Sequence, residues 1–324
     1  MNPKYEINDV RTEFKATFSG YNRNNVRGEL IESALAGRYD AASAWAAELL
    51  CSGFMRDVWD AVLELTSQHV YIANPKLPIY VHSRYKFFQT VMKNHAVDLE
   101  ARNDVKVREV FAELLYVLAN ARKRPKLLAI KMPDEAFNVA LMVLKAPSIR
   151  YARSVFRNTD PQELFAPTNE LVYYLSEGDT LKACYWLEWI LLFEQRKQKL
   201  KEPFRCATRT VPPHVHDKFS GDVSWLIWQV LRNEAASREP PLIPKIVEAL
   251  FALFHARYTA TTSRKLRFVY YHCCHLLTTP LDVEVPIVAD SAQMAEAVRG
   301  VNSMYAQLKK NEYHGNVDYL KKII

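Results

Sequence analysis

The chain has 324 residues, 49% of them hydrophobic, which suffices for two ordinary domains or one large helical array with a substantial core. Only 8 glycines occur, leaving little material for phosphate-cradling loops or tight hairpins, so helices are favoured. The formal net charge of +7 admits polyanions as partners through long-range attraction but says nothing about fold.

Residues 1–23 are polar, with Phe14, Phe18 and Tyr21 as the large anchors, and read as an arm or a first short helix. From Asn24 the apolar residues Val26, Leu30, Ile31, Ala34 and Leu35 recur at helical spacing, and Gly37 suits a C-terminal cap. A second helix follows, with Asp40 as its expected cap and small residues crowding one side around Trp45. After Gly53 a third helix carries Met55, Val58, Trp59, Val62, Leu63 and Leu65. Pro78 sits at the first turn of a fourth, which runs through Tyr80, Val81, Tyr85, Phe88 and Met92. A fifth spans roughly Val105 to Ala119, and Pro133 is expected to open a sixth.

The second half repeats this order. Glu29-Leu30-Ile31, Gly37, Ala42, Trp45 and Leu49-Leu50 recur at one constant offset as Glu170-Leu171-Val172, Gly178, Ala183, Trp186 and Ile190-Leu191. Trp59 then corresponds to Trp228, Leu77-Pro78 to Ile243-Pro244, Phe88 to Phe254, Val107-Arg108 to Leu266-Arg267, and Phe111 to Tyr270. The offsets drift between elements, which places insertions in loops, where backbone polar groups still reach water. The expected fold is all-α, a helical array of two tandem, divergent multi-helix modules stacked through their aromatic-rich helices. The expected organisation is an arm at 1–23, module 1 at 24–158, module 2 at 159–312 with a basic insertion at 193–222, and a tail at 313–324. The seam falls between about Phe156 and Thr168, where Asp160-Pro161 and Ala166-Pro167 punctuate the chain, and Val283-Glu284-Val285 reads as an extended linker.

Duplication also filters candidate chemistry. His272-Cys273-Cys274-His275 offers four adjacent donors, but neighbours on a helix point about 100° apart, and Cys273 and Cys274 align with Leu114 and Leu115. They are expected in the core. Cys51, Cys184 and Cys206 complete an odd set of reduced cysteines, as in a cytosolic or nuclear protein. The insertion has no counterpart in the first half and carries Arg196, Lys197, Lys199, Lys201, Arg205 and Arg209 as candidate contacts to a polyanion or an acidic partner. Its other reading is a solvated basic face and an irregular loop. His214 and His216 with Cys206 lack a fourth metal ligand, so no metal is assigned. A second basic run, Arg122, Lys123, Arg124 and Lys126, could touch nucleic acid or simply favour the end of a helix dipole. Glu48 and Glu188 lie near Trp45 and Trp186 out of register with each other, and read as helix-surface or hydrogen-bonding residues.

No Gly-x-x-x-x-Gly-Lys, Gly-x-Gly-x-x-Gly, Gly-x-Ser-x-Gly or His-Glu-x-x-His occurs, which removes the common nucleotide, hydrolase and metalloprotease motifs. No catalytic residue and no cofactor is assigned. The polar start, Met1 to Arg11, and the lack of an uncharged apolar run near the ~18 residues that cross a bilayer predict neither a signal peptide nor membrane insertion.

The run Ala44-Trp45-Ala46-Ala47-Glu48-Leu49-Leu50-Cys51-Ser52-Gly53, the Val58-Trp59 that follows, Asn74-Pro75-Lys76-Leu77-Pro78 and Ala183-Cys184-Tyr185-Trp186-Leu187-Glu188-Trp189 resemble an uncharacterised helical protein family of nucleocytoplasmic large DNA viruses. The resemblance covers most of residues 24–230. It implies a factor made in the cytoplasm or nucleus of an infected cell, packaged in the virion or accessory to transcription or replication, with no catalytic role attached. The expected function is a non-enzymatic scaffold that binds other proteins, viral ones foremost. The alternative is a nucleic-acid-binding accessory factor.

Overall fold

A computed structural model describes residues 5–312 apart from Thr12, Val139 and Leu141; the expected tail at 313–324 lies outside the described residues. The described chain is helical, its one β-feature an isolated bridge between Ala16 and Asn22. It divides into two compact units, Met1–Arg124 with Glu284–Ile324, and Pro125–Val283.

In the first unit the helices are α1 (Arg23–Leu35), α2 (Tyr39–Cys51), α3 (Met55–Glu64), α4 (Leu77–Met92), the short α5 (Asp98–Asn103) and α6 (Val105–Asn120). The second unit runs α7 (Phe165–Glu177), α8 (Thr180–Lys199), α9 (Val223–Ala236), α10 (Leu242–His255), the short α11 (Thr262–Lys265) and α12 (Arg267–Thr278). Helices α13 (Ser291–Arg299) and α14 (Val301–Leu308) then rejoin the first unit, packing on α2 and α6.

A buried tryptophan centres an aromatic cluster in each unit. Trp59 meets Tyr85, Phe88 and Phe111 with ring centroids 4.9, 5.3 and 5.2 Å away. Trp228 meets Phe251, Phe254 and Tyr270 at 5.1, 5.2 and 5.3 Å. Both tryptophans are fully buried, so each unit closes around one aromatic cage drawn from its third, fourth and sixth helices. Gly37 and Gly178, with φ of +71° and +75°, end the first helix of each unit in the left-handed conformation that a Cβ disfavours. At both, a side chain would point at a carbonyl of the sixth helix, Ala119 in one unit and Thr278 in the other.

Three expectations are corrected. The division falls at Arg124/Pro125 and Val283/Glu284 instead of residues 156–168, because residues 125–161 are bonded to the second unit's helices while α13 and α14 belong to the first. Pro133 opens a single 3-10 turn, Asp134–Phe137, and no sixth helix; the turn is held by its contacts, with Trp189 Nε1 donating to Ala136 O at 2.7 Å. Asp40 lies inside the first turn of α2, whose cap position is Arg38 without a side-chain bond, whereas the matching Asp179 of α8 accepts from Lys182 N.

Each unit is bound by a non-helical strap. In the first, Ser19 N and Oγ both donate to Glu48 at 2.7 Å, Phe18 N donates to Ser52 Oγ, and Asp9 joins Arg11 to Arg102. In the second, Lys145 N and Ala146 N donate to Glu170, and Ile130 N to Tyr271 Oη.

Candidate functional site

The insertion at 193–222 is where the two units differ most. Helix α8 continues to Lys199, while its counterpart α2 stops at Cys51, and the chain then runs irregularly to Asp222. Two backbone bonds pin the limbs of this loop together, Cys206 N to Gly221 O at 2.8 Å and Arg209 N to Ser220 O at 3.1 Å.

Its basic residues separate into three kinds. Arg209 is 5% exposed and bidentate on Asp160, and it also donates to Gln229, Ala207 O and Val155 O. Burial alone would raise the Asp160 pKa, but the Arg209 hydrogen bonds and the N–H groups of Arg157 and Ala207 hold it below the usual range. Arg209 is therefore a structural strut, and the expectation that it contacts a polyanion is withdrawn: every donor direction is spent inside the fold. Arg196, Lys197 and Arg205 are exposed in part but engaged, Arg196 with Asp134 and the Phe137 ring, Lys197 with Glu163 and Glu202, and Arg205 with Lys218 O. Lys199 and Lys201 are exposed. Lys201 has φ +57° and ends α8 in the left-handed conformation that glycine usually takes.

The second basic run is also divided. Arg122, Arg124 and Lys126 expose their side chains, whereas Lys123 Nζ donates to Ala119 O and Ala121 O at 2.8 and 2.7 Å, closing the C-terminus of α6. Burial brings the Lys123 pKa down to about 8. Arg122, Lys123 and Arg124 end the first unit, and Lys126 stands at the start of the second.

Beneath the insertion lies a cluster of buried polar groups that the sequence did not announce. Glu194 accepts from Val223 N at the start of α9, and burial, with Asp222 nearby, pushes its pKa up to about 7. Tyr258 Oη donates toward Asp222 and lies 2.9 Å from Ser224 Oγ. A second buried carboxylate, Glu188, takes Arg267 and Tyr271; burial raises its pKa against the pull of the arginine. Glu48 and Glu188 are thus buried hydrogen-bonding residues, 1% and 0% exposed, and the surface part of their expected role is corrected.

Cys273 and Cys274 are fully buried, as are Leu114 and Leu115 at the matching positions, in line with the core assignment. His272 shares that burial, which lowers its pKa to about 3. Among the described residues no group of three or more His, Cys, Asp and Glu side chains is placed to hold a metal ion. No helix among them is long and apolar enough to cross a membrane.

The first unit has an open cleft of about 820 Å³ between the start of α2, the end of α6 and the α13–α14 junction, lined by Arg38, Tyr39, Asn120, Gln293, Glu296 and Ser303 among others. Its size suits a small ligand. One basic and two acidic side chains, counting Asp40, give it no single charge preference.

No family model, no curated protein and no solved structure matches this chain.

Proposed function

We propose that this chain is a non-enzymatic helical scaffold that binds other proteins. The observation that carries the reading is the segment linking the Arg124/Pro125 division to α7, which presents Leu128, Val143, Leu144 and Ile149 to solvent at 73, 70, 49 and 73% exposure. Single exposed aliphatics are ordinary, but several on one non-helical strap that is itself tied to the helices at Ile130, Ala136, Lys145 and Ala146 support a protein-binding role. The buried carboxylates support the same reading, since Glu48, Glu170 and Glu188 are spent on holding straps and helices. The resemblance to helical proteins of nucleocytoplasmic large DNA viruses supports a setting in an infected cell, within the particle or its assembly, and the repeated cages support an origin by tandem duplication.

The test is affinity capture with quantitative cross-linking, comparing the native chain with a Leu128→Ser, Val143→Ser, Ile149→Ser variant of unchanged melting temperature. Loss of the captured partner in the variant is expected. Nucleotide hydrolysis or nucleic-acid modification that tracks the folded fraction would overturn the reading.

A second reading, contact with nucleic acid, draws on Lys199, Lys201, Arg122, Arg124 and Lys126, whose charges project from the surface. Binding that persists when these five are neutralised, or no binding at low salt, would remove it.

A further inference from the structure

His214 and His255 are separated by 41 positions in sequence, yet His214 Nε2 lies 3.1 Å from His255 Nδ1. The geometry points to a two-histidine site for a divalent transition-metal ion, Cu²⁺, Ni²⁺ or Zn²⁺, clipping the insertion to the end of α10, with solvent completing the coordination.

Both ligands stand on fixed supports. His214 follows Pro212 and Pro213 in a turn closed by Val215 N on Pro212 O at 2.8 Å, and Val215 is 5% exposed, so a buried neighbour anchors the turn. His255 occupies the last turn of α10, and the Phe251 ring meets it edge-on at 4.5 Å. Metal–imidazole bonds are about 2.0–2.1 Å, so two ligands at neighbouring positions on one ion hold their nitrogens roughly 3 Å apart. The observed separation meets that requirement. Without an ion, His214 Nε2 donates to His255 O at 3.0 Å, so metal binding displaces that hydrogen bond and moves the ring's proton to Nδ1. Each ring would bind as the neutral tautomer with its proton on the far nitrogen, Nδ1 of His214 and Nε2 of His255.

The choice of ion follows from the donors. Imidazole suits copper, nickel and zinc, and with two protein ligands the affinity belongs to a modest site and not to a closed structural one. Cys206, the sequence-adjacent alternative, is no competitor: burial pushes its thiol up to about 12, away from the thiolate a metal needs. His216 is turned to its own loop, where its Nδ1 accepts from Lys218 N. Nor does the first unit share the site, since Gln89 stands where the second has His255, and the insertion is missing there.

The full chain, stripped with a chelator and dialysed, is titrated with CuCl₂, NiCl₂ and ZnCl₂ by calorimetry, and the copper form is examined by electron paramagnetic resonance. One ion per chain at about micromolar affinity is expected, with hyperfine structure from two nitrogens. His214→Ala and His255→Ala should each weaken binding at least about tenfold, and His216→Ala by less than about threefold, with circular dichroism unchanged in all three. Metal should raise the melting temperature of the native chain and not that of the double variant. Unaltered affinity in the double variant, or no binding of any of the three ions below about 1 mM, would overturn the assignment.

Discussion

Arg108 sits over the ring of Tyr305, its guanidinium carbon 3.8 Å from the ring centroid. Arg108 is 2% exposed and Tyr305 1%, and the arginine's hydrogen bonds go to Arg102 O, Asn103 Oδ1 and Asn302 Oδ1. Burial lowers the Arg108 pKa, and a ring face with amide oxygens supplies what a carboxylate supplies elsewhere. Its match in the second unit, Arg267, uses Glu188, whose own counterpart is Ala47. The buried Arg108 is therefore satisfied by a returning helix, and the part-exposed Arg267 by a carboxylate within its own unit. Tyr305→Ala should destabilise the protein by about 3–5 kcal/mol, the range for removing a large buried ring or the partner of a buried charge, and Tyr305→Phe by much less. Urea denaturation measures both, and equal effects would contradict the stacking account.

Trp59→Ala and Trp228→Ala remove the centre of matched cages, and each should cost about 3–5 kcal/mol. Hydrogen exchange should report accelerated opening confined to the residues around the substituted cage, since each tryptophan's ring contacts lie within its own unit. Uniform acceleration along the chain would show that the cages are not separate cooperative centres.

The basic residues of the insertion should separate by stability. Arg209→Ala leaves Asp160 buried without its partner and should cost about 3–5 kcal/mol. Arg196→Ala breaks an exposed pair with Asp134 and should cost under about 1 kcal/mol. Thermal melts of the two variants, purified side by side, decide the point.

Glu194 makes stability depend on pH near neutrality. Its folded pKa of about 7 exceeds the ordinary carboxylate value, so the folded state binds its proton more tightly, and stability falls as pH rises from about 4.5 to 7. The loss is of the order of 3 kcal/mol. Glu194→Gln keeps an acceptor for Val223 N and should flatten that slope, leaving the variant the more stable protein at pH 8. Denaturant midpoints at pH 5, 6, 7 and 8 test it; parallel curves would refute the assignment to Glu194.

Helices and core cysteines were legible because each rests on local periodicity: Val107, Val110, Phe111, Leu114 and Leu115 mark the inward face of α6 wherever the helix goes. The straps were not, since residues 125–161 carry little periodic pattern and are held by single side chains such as Trp189 and Glu170. Nor was the C-terminal return, for α14 repeats nothing and its partner Arg108 lies far away in sequence. The basic residues of the insertion were found as a group, but sequence could not separate Arg209 from Lys199, because burial is decided by Asp160 across the loop. His255 escaped for a related reason: on its helix it reads as an ordinary last-turn cation, and only the fold brings His214 to it.

The return of α13 and α14 also sets an order of assembly during synthesis. The unit built on Pro125–Val283 is one uninterrupted stretch and can finish as soon as it leaves the ribosome, whereas the unit begun first must wait for Tyr305. The amino-terminal half is thus the last to be completed, and a chain released early would carry one finished unit and one whose Arg108 has no ring to rest on.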